Sequence, residues 1–542
     1  MPSGATSHGP YNGLEVKNTA LILCEKQEEL QAYGTSWGMH VPIATCTEAA
    51  DLCRADKSCG HAITINVLPD YVLLEIFDSC RKDHDPRHLP FIPAWRWHVL
   101  AHVCRRWRQI VLESPRRLDL QIFCTNGTPV RENLDIWPPF PISIQYRDTT
   151  KTLDKDSLFA ALEHPGRICH IELCQIGQHL SEVATVIQEP LPALEHLTLD
   201  FDFWREGGET PTLPIGFLGG FAPRLRYMRL NGIHFPTLPT LLSSTSNLVD
   251  LYLNDIPEDD RTSPEAMVLC LAALTKLKFL QIGLQSFLPA SEFDGIPLPP
   301  VTRTVLPALT CFHFQGNNVY LEEFVSRIDS PQLNSISINF FNGLNVIYFD
   351  YFNFTLDAGV AQLFMFVDRS EAFEKTLIKD LDVIFANSWM AFETYPRLES
   401  HPDWHLIGAS TYRLVIHKNI QSIAEMFSQP SKMLSHVIHL KLSCDPDEVY
   451  HLRDELQFLL CKFTTVRTLR ISKEFARQVA LELEDIAGEM VAQVLPVLDF
   501  IYLDDQPMSC VEKFLAARQS SGHPVTIVET EVEIDDIMEY YY

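Results

Sequence analysis

Apolar residues recur in one pattern along most of the chain: an apolar residue, two variable residues, a second apolar residue, one variable residue and a third apolar residue. Matches follow one another at intervals of 23–32 residues, except across one gap near the middle of the chain. A single match is common in any leucine-rich chain, but a long series indicates a repeated structural unit. The ten matches are Ile168-Ile171-Leu173, Leu194-Leu197-Leu199, Leu225-Met228-Leu230, Leu248-Leu251-Leu253, Leu277-Leu280-Ile282, Leu309-Phe312-Phe314, Leu333-Ile336-Ile338, Val437-Leu440-Leu442, Val466-Leu469-Ile471 and Leu498-Ile501-Leu503.

Each match predicts a short β-strand followed by a return helix. The last two apolar residues are two positions apart, so in a strand both point to the same side of the sheet. Helical spacing predicts return helices over Pro264–Leu274 and Val449–Phe463. One unit cannot bury its own apolar face, so we expect stacked units with parallel strands on a concave face and helices behind them. Pattern and period resemble leucine-rich repeats, and the fold class expected is α/β, an irregular solenoid.

Changes in composition and in the spacing of apolar residues divide the chain into five segments. Two apolar stretches with helical spacing, separated by a polar break, predict a small N-terminal helical domain. Two weaker matches, Ile378-Leu381-Val383 and Ala409-Tyr412-Leu414, leave the repeat number open across residues 340–436. The predicted segments are 1–62 (poorly ordered), 63–125 (helical domain), 126–160 (Pro-rich connector), 161–528 (repeats) and 529–542 (acidic tail).

The helical domain resembles an F-box over residues 67–118. It opens with Leu-Pro-Asp-Tyr-Val-Leu-Leu-Glu-Ile-Phe at residues 68–77 and continues with Val-Cys-Arg-Arg-Trp-Arg at residues 103–108, close to the two anchor motifs of that family. The run Ser-Pro-Arg-Arg-Leu-Asp-Leu at residues 114–120 is similar to F-box proteins of mushroom-forming fungi. The segment between the motifs, residues 81–97, is longer than is usual in the family.

The resemblance implies an adaptor. In the family, an F-box binds a Skp-type linker protein and through it a cullin, and the C-terminal repeats select a protein substrate. The function expected is therefore substrate recognition in a Skp/cullin/F-box-type ubiquitin ligase; the alternative is a non-catalytic leucine-rich-repeat scaffold without a ubiquitin role. The linker-binding residues that the resemblance implies are Leu68, Pro69, Leu73, Ile76, Phe77, Val103 and Trp107.

The variable positions of the predicted strands are the candidates for substrate binding. Side chains alternate along a strand, so these positions are expected to share the concave face. They combine aromatic and Arg side chains with amides, a composition typical of binding hot spots. The candidates are Tyr227, Arg229, Asp250, Tyr252, Asn254, Phe279, Gln281 and His313.

Charge and composition limit the partners. The chain carries 70 acidic against 43 basic residues, a formal charge of −27, which argues against nucleic acid and favours a basic protein partner. The chain contains no run of 18 apolar residues, so the sequence predicts no membrane span. Neither does the N-terminus resemble a secretory signal, so the 14 Cys are expected to be thiols in a reducing compartment. We expect a cytoplasmic and/or nuclear location.

Motifs that could carry chemistry are weak. Ser36 lies in a Gly-Thr-Ser-Trp-Gly match to the nucleophile elbow of hydrolases, but the preceding residues favour a helix instead of the required strand. The cluster of Cys46, Cys53, Cys59 and His61 lacks the short spacing of zinc ligands. We therefore expect no catalytic site, no metal and no cofactor, and a hidden enzyme is the least favoured hypothesis.

Overall fold

The chain divides into two compact units, Met1–Arg96 and Trp97–Tyr542. The predicted helical domain, 63–125, extends across the division between them. In the first unit, residues 70–74 are helical, and the N–H groups of Val72 and Leu73 donate to the carbonyl oxygen of Pro69. The computed structural model describes residues 68–74, 104–113, 120–124, 130–136, 141–146, 153–174, 179–201, 210–256, 262–284, 303–340, 361–372, 379–385, 389–394, 411–417, 434–444, 455–484, 490–504 and 511–530.

The second unit is a mixed α/β structure. Its described helices are α1 (Arg105–Glu113), α2 (Val130–Ile136), α3 (Lys155–Leu162), α4 (His179–Val186), α5 (Leu238–Ser244), α6 (Pro264–Leu271), α7 (Asn318–Ser326), α8 (Ala361–Asp368), α9 (Glu455–Leu460), α10 (Lys473–Glu484), α11 (Met490–Gln493) and α12 (Glu512–Ser520). Its described strands are β1 (Leu120–Phe123), β2 (Ile142–Tyr146), β3 (Ile168–Cys174), β4 (His196–Asp200), β5 (Tyr227–Asn231), β6 (Asp250–Ile256), β7 (Phe279–Leu284), β8 (Thr304–Val305), β9 (Cys311–Gly316), β10 (Ile328–Asp329), β11 (Ser335–Phe340), β12 (Asp380–Phe385), β13 (Trp389–Glu393), β14 (Thr411–His417), β15 (His439–Cys444), β16 (Thr468–Ile471), β17 (Phe500–Asp504) and β18 (Thr526–Thr530).

Sixteen of these strands form one sheet, in the order β1-β2-β3-β4-β5-β6-β7-β9-β11-β14-β13-β12-β15-β16-β17-β18. Every pairing is parallel except those of β13, which runs antiparallel to both β12 and β14. The short strands β8 and β10 pair with each other separately. The main sheet is thus continuous from β1 to β18, with one reversal inside it.

Burial of the repeated apolar residues explains the parallel sheet. The last two residues of each of the ten matches lie in a strand, and register places them opposite their equivalents in the neighbouring strand. The first residue of each match is buried too, inside the strand for Ile168 and just before the strand for the others, as Leu194 and Leu225 are. A strand buried this way gains about 2 kcal/mol per large apolar side chain, which favours stacking of the units.

Three boundaries differ from the predictions. The sheet begins at β1, and β2 lies within the predicted connector 126–160, because Ile142 and Ile144 are buried between neighbouring strands. The return helices end earlier than predicted, α6 at Leu271 instead of Leu274 and α9 at Leu460 instead of Phe463. The predicted acidic tail begins inside β18, because Glu529 pairs in register with Leu503.

Among the described residues, the gap in the repeat series contains three strands, one more than the two weak matches predict. The two weak matches do lie in β12 and β14, but these strands are not neighbours in the sheet. The antiparallel strand β13, which the pattern did not predict, lies between them. Its sequence, Trp-Met-Ala-Phe-Glu, has neither the repeat pattern nor alternation.

The expectations of no membrane span and of free thiols can be compared with the described residues. Within them, no helix combines the length and the apolar character that crossing a bilayer requires. Cys104, Cys124, Cys270, Cys311 and Cys461 are free thiols. The segment 1–62 lies outside the described residues, as do residues 531–542 of the acidic tail.

Candidate binding face

Half-buried side chains at alternate positions form one polar face of the sheet. In β6, Leu251 and Leu253 are buried, whereas Tyr252 between them is half-buried. One row across β5, β6, β7 and β9 consists of Arg229, Tyr252, Gln281 and His313, and the row beside it contains Tyr227, Asp250 and Phe279. The structure therefore brings all the predicted substrate-binding residues to this face, each half-buried: Tyr227, Arg229, Asp250, Tyr252, Asn254, Phe279, Gln281 and His313.

Six rings contact one another in series along this face, and we call them the ring ladder. Neighbouring centroids are 4.1, 4.0, 5.2, 4.5 and 4.9 Å apart, close to the spacing of adjacent strands. The first three rings are register partners and lie within 8° of parallel, while the others alternate between two rows and meet at 25–72°. The sheet itself thus holds the ladder in place. Its members are His170, His196, Tyr227, Tyr252, Phe279 and His313.

Two members of the ring ladder, Tyr227 and His313, offer uncharged polar groups. Burial, the larger cause, raises the pKa of Tyr227 despite the nearby Arg229, so the hydroxyl stays protonated at neutral pH. Burial and the positive charge of Arg413 lower the pKa of His313 to about 4, so its imidazole is neutral. Aromatic side chains that combine a rigid apolar body with a polar tip are typical of protein-binding surfaces.

Charged groups flank the ladder on β3, β4 and β5. Asn231 Nδ2 donates to Asp200 Oδ1 at 2.6 Å, and Arg229 Nη2 lies 3.9 Å from Asp200 Oδ2. Two buried nitrogens, His170 Nε2 and Arg229 Nε, make no hydrogen bond, although His170 Nε2 is 3.5 Å from Glu172 Oε2. Buried polar atoms are nearly always hydrogen-bonded in folded proteins, and several others in the described residues also lack a hydrogen bond, among them Arg327 Nε and Arg518 Nε.

A thiol and an imidazole meet at the end of the ladder. Cys311 Sγ lies 3.3 Å from His313 Nε2, which is the distance of a cysteine–histidine catalytic pair. Burial, aided by the negative charge of Asp250, raises the pKa of Cys311 to about 11. The pKa of His313 falls to about 4, so both groups are neutral at pH 7 and the thiolate needed for nucleophilic attack is not formed.

A second cluster on the same face lies around the antiparallel strand. Arg413 Nε donates to Glu393 Oε1 at 2.7 Å, and Lys441 Nζ lies 3.0 Å from Asp382 Oδ2. The carboxylate side chains are 14% and 7% exposed, whereas those of Arg413 and Lys441 are 60% and 47% exposed. Burial raises the pKa of Asp382, and the Lys441 ammonium opposes that shift. The exposed Arg470 lies opposite Lys441 on β16, and we call Arg413, Lys441 and Arg470 the basic end.

Sequence reasoning did not select the basic end. Lys441 lies between the buried Leu440 and Leu442, and Arg470 lies in the same position of the next match. The alternation rule that selected Tyr252 would have found both. Arg413 belongs to β14, whose neighbour β13 was not predicted, so its pairing with Glu393 had no sequence signal.

The predicted linker-binding residues are only partly described. Leu68 is half-buried, Pro69 is exposed, and Leu73 is completely buried within this chain. Trp107 is half-buried on α1, where its backbone N–H donates to Cys104 Sγ at 3.4 Å. The role of Leu73 as a linker contact stays a prediction. Ile76, Phe77 and Val103 lie outside the described residues.

The weak chemical motifs also fall outside the described residues, including Ser36 and the cluster of Cys46, Cys53, Cys59 and His61. Among the residues that are described, no group of three or more His, Cys, Asp or Glu side chains is arranged to hold a metal ion.

No protein-family model matches the chain, and no curated protein is similar to it at a significant level.

Proposed function

We propose that the chain is a substrate-recognition adaptor of a Skp/cullin/F-box-type ubiquitin ligase, with residues 67–118 docking a Skp-type linker and the sheet face binding a protein substrate. The resemblance of residues 68–77 and 103–108 to the F-box motifs supports the docking half. The ring ladder supports the substrate half and is the observation that carries the proposal, because six adjacent strands present pre-ordered rings. A rigid surface loses little entropy on binding.

The proposed role is non-catalytic. The cysteine–histidine pair on the face is neutral at pH 7, as the opposite pKa shifts of Cys311 and His313 indicate. The proposal needs no cofactor, since transfer of ubiquitin belongs to the other subunits of such a ligase.

Co-purification tests the docking half. The double substitution Leu68→Ala/Pro69→Ala removes one half-buried and one exposed apolar side chain at the start of the F-box-like segment. We expect it to reduce recovery of the Skp-type linker at least tenfold, because anchors at an interface cost about 2 kcal/mol when truncated. Full recovery of the linker by a variant with unchanged circular dichroism contradicts the docking role.

Proximity labelling followed by mass spectrometry tests the substrate half. The variant Tyr227→Ala/Arg229→Ala/Tyr252→Ala should keep the linker and lose its substrate-like partners. The matched control Phe221→Ala/Arg224→Ala removes an exposed ring and an exposed guanidinium before β5 and should keep both. If the triple variant retains the complete partner list, the ring ladder does not bind the substrate.

The second candidate is a binding scaffold without a ubiquitin role. The ring ladder favours it as well, because binding through that surface needs no contact with a Skp-type linker. Under this alternative, wild-type chain recovers partners that depend on the ring ladder but recovers neither a Skp-type linker nor a cullin.

A further inference from the structure

Four exposed cations lie at the edge of the sheet where β5 and β7 begin. Arg226 directly precedes β5 and Lys278 directly precedes β7. The N–H of Val249 donates to the carbonyl oxygen of Arg226, and the N–H of Lys278 donates to that of Val249, so the two positions are aligned across β6 and are about 10 Å apart. Arg224 and Lys276 lie two positions earlier in the same two units. We call Arg224, Arg226, Lys276 and Lys278 the basic rim.

The basic rim has no carboxylate partner. In the part of the chain that the structure describes, none of its four cations lies within 4.0 Å of a carboxylate oxygen. Other exposed cations do pair, as Arg131 does with Glu163 at 3.4 Å and Arg467 with Asp499 at 3.6 Å. Because the chain has 70 acidic and 43 basic residues, four neighbouring cations without such a partner are not expected from composition.

Hydrogen bonds hold one of the cations inside the cluster. Lys276 Nζ donates to Asn247 Oδ1 at 2.6 Å, and Asn247 Nδ2 donates to the carbonyl oxygen of Pro223 at 2.8 Å. Asn247 lies shortly before β6, and Pro223 directly precedes Arg224. The Lys276 ammonium is therefore drawn toward the other cations, against their mutual repulsion. A bound carboxylate would offset that repulsion.

The basic rim adjoins the ring ladder. Tyr227 directly follows Arg226, and Phe279 directly follows Lys278, and both rings are members of the ladder. A segment lying on the ladder therefore reaches the rim within a residue or two. The charge of the whole chain favours a basic partner, but screening limits charge effects to about 10 Å at 0.1 M salt. The cations of the rim thus decide which residues of a partner contact it.

We propose that the basic rim binds an acidic segment of the protein partner, with Asp or Glu side chains over Arg226, Lys276 and Lys278 and the adjoining apolar residues on the ring ladder. Complementary charge selects the acidic residues and sets their register. The inference rests on the proposed function, because it names the chemistry of the substrate that the face binds. A nucleic acid fits less well, since the formal charge of −27 repels a long polyanion.

Peptide selection tests the proposal. The immobilised full chain selects from a phage-displayed library of random 12-residue peptides in 50 mM NaCl. We expect the selected peptides to combine adjacent Asp or Glu residues with aromatic or aliphatic residues. The variant Arg226→Gln/Lys278→Gln should lose the preference for acidic residues and keep the apolar one. Tyr227→Ala/Tyr252→Ala should do the reverse. Circular dichroism checks that both variants are folded.

Fluorescence anisotropy with the most enriched peptide measures the effect. Arg226→Gln/Lys278→Gln should weaken binding at least fivefold, because the removed charges lie next to the ring ladder. The matched control Arg131→Gln/Arg467→Gln removes the same charge from exposed cations that have carboxylate partners. It should leave the affinity within twofold of wild type.

Two single substitutions grade the effect of charge. Glu195, exposed directly before β4, lies one strand from Arg226. Glu195→Gln removes a negative charge beside the rim and should tighten binding about twofold. Arg224→Gln should weaken binding less than twofold, because Arg224 lies two residues farther from the ring ladder than Arg226 does.

Several results overturn the proposal. They are a selection that enriches no peptide, enriched peptides without acidic residues, and equal affinity of wild type and Arg226→Gln/Lys278→Gln. Tighter binding of a 12-nucleotide single-stranded DNA, lost in the same variant, also overturns it and assigns the rim to nucleic acid. If acidic peptides are selected but Tyr227→Ala/Tyr252→Ala has no effect, the rim proposal holds and the proposed role of the ring ladder fails.

Discussion

At the scale of single residues, Gly232 shows how the backbone shapes the candidate binding face. It directly follows Asn231 at the end of β5, and its φ of +63° lies in the left-handed region. A Cβ atom there would lie 2.4 Å from the carbonyl oxygen of Phe201. The Gly232 N–H also donates to the carbonyl oxygen of Asn254 at 3.0 Å. Glycine is therefore required where β4, β5 and β6 end together.

The first prediction is that Gly232→Ala lowers the free energy of unfolding by about 2 kcal/mol or more. A non-glycine residue in the left-handed region costs about 1–2 kcal/mol, and relief of the clash adds to that. Urea unfolding followed by circular dichroism measures the change. Gly166→Ala is the matched control, because nothing lies within 4 Å of its Cβ position. Equal stability of the two variants contradicts the prediction.

At the scale of elements, neighbouring helices are joined by side chains as well as by apolar packing. Glu322 of α7 accepts hydrogen bonds from the N–H groups of Gln362 and Leu363, at 2.7 and 2.9 Å, in the first turn of α8. Those N–H groups have no partner within their own helix. Burial nevertheless dominates and raises the pKa of Glu322 to about 7, while the two backbone hydrogen bonds oppose the shift.

The second prediction concerns pH. The pKa of Glu322 is about 7 when folded, above its ordinary value of 4.5, so the native state holds the proton more tightly than the unfolded chain does. The stabilising effect is complete below pH 4.5 and is lost as pH rises to 7. Glu322→Gln removes this dependence, so its stability relative to wild type should rise by about 1–3 kcal/mol between pH 5 and 7.5. Urea unfolding across that range measures it, and a constant difference between the two proteins contradicts it.

The alternation of the repeats predicted the strands, and with them the ring ladder, because Tyr227 and Tyr252 lie beside residues that the core buries. The same rule failed at β13, which lacks the pattern, and at β2, which lies in a Pro-rich stretch. The basic end depends on strand order. Asp382 and Lys441 are 59 positions apart and meet because β12 pairs with β15 instead of β14. No local pattern carries that information.

At the scale of the whole second unit, the order of strands makes the continuity of the sheet depend on β13 and β14. After β11, the chain adds β12 three places away, and β13 and β14 then fill the two empty places between them. In the described sheet, β14 and β13 join two groups of strands. The first group ends at β11, and the second consists of β12 and the strands from β15 to β18. Stability in stacked units is a sum of neighbour interactions, so disruption of this link should separate the two parts.

The third prediction is that Val415→Pro breaks this link. Val415 lies opposite Asn339 of β11 and Ala391 of β13. Proline has no N–H to donate and is poorly tolerated inside a sheet, at a cost of about 3 kcal/mol or more. We expect urea unfolding to show two transitions, and limited proteolysis to cleave first between residues 372 and 434.

The matched control is Glu529→Pro in β18. Thr526 N–H donates to the carbonyl oxygen of Asp499, and successive residues of a parallel strand bond to opposite sides. The N–H of Glu529 therefore points away from β17, toward the side on which the described sheet has no further strand. Proline there removes no hydrogen bond of the sheet, so the loss should be under about 1 kcal/mol with one transition. If both variants unfold alike, β14 does not join the two parts of the sheet.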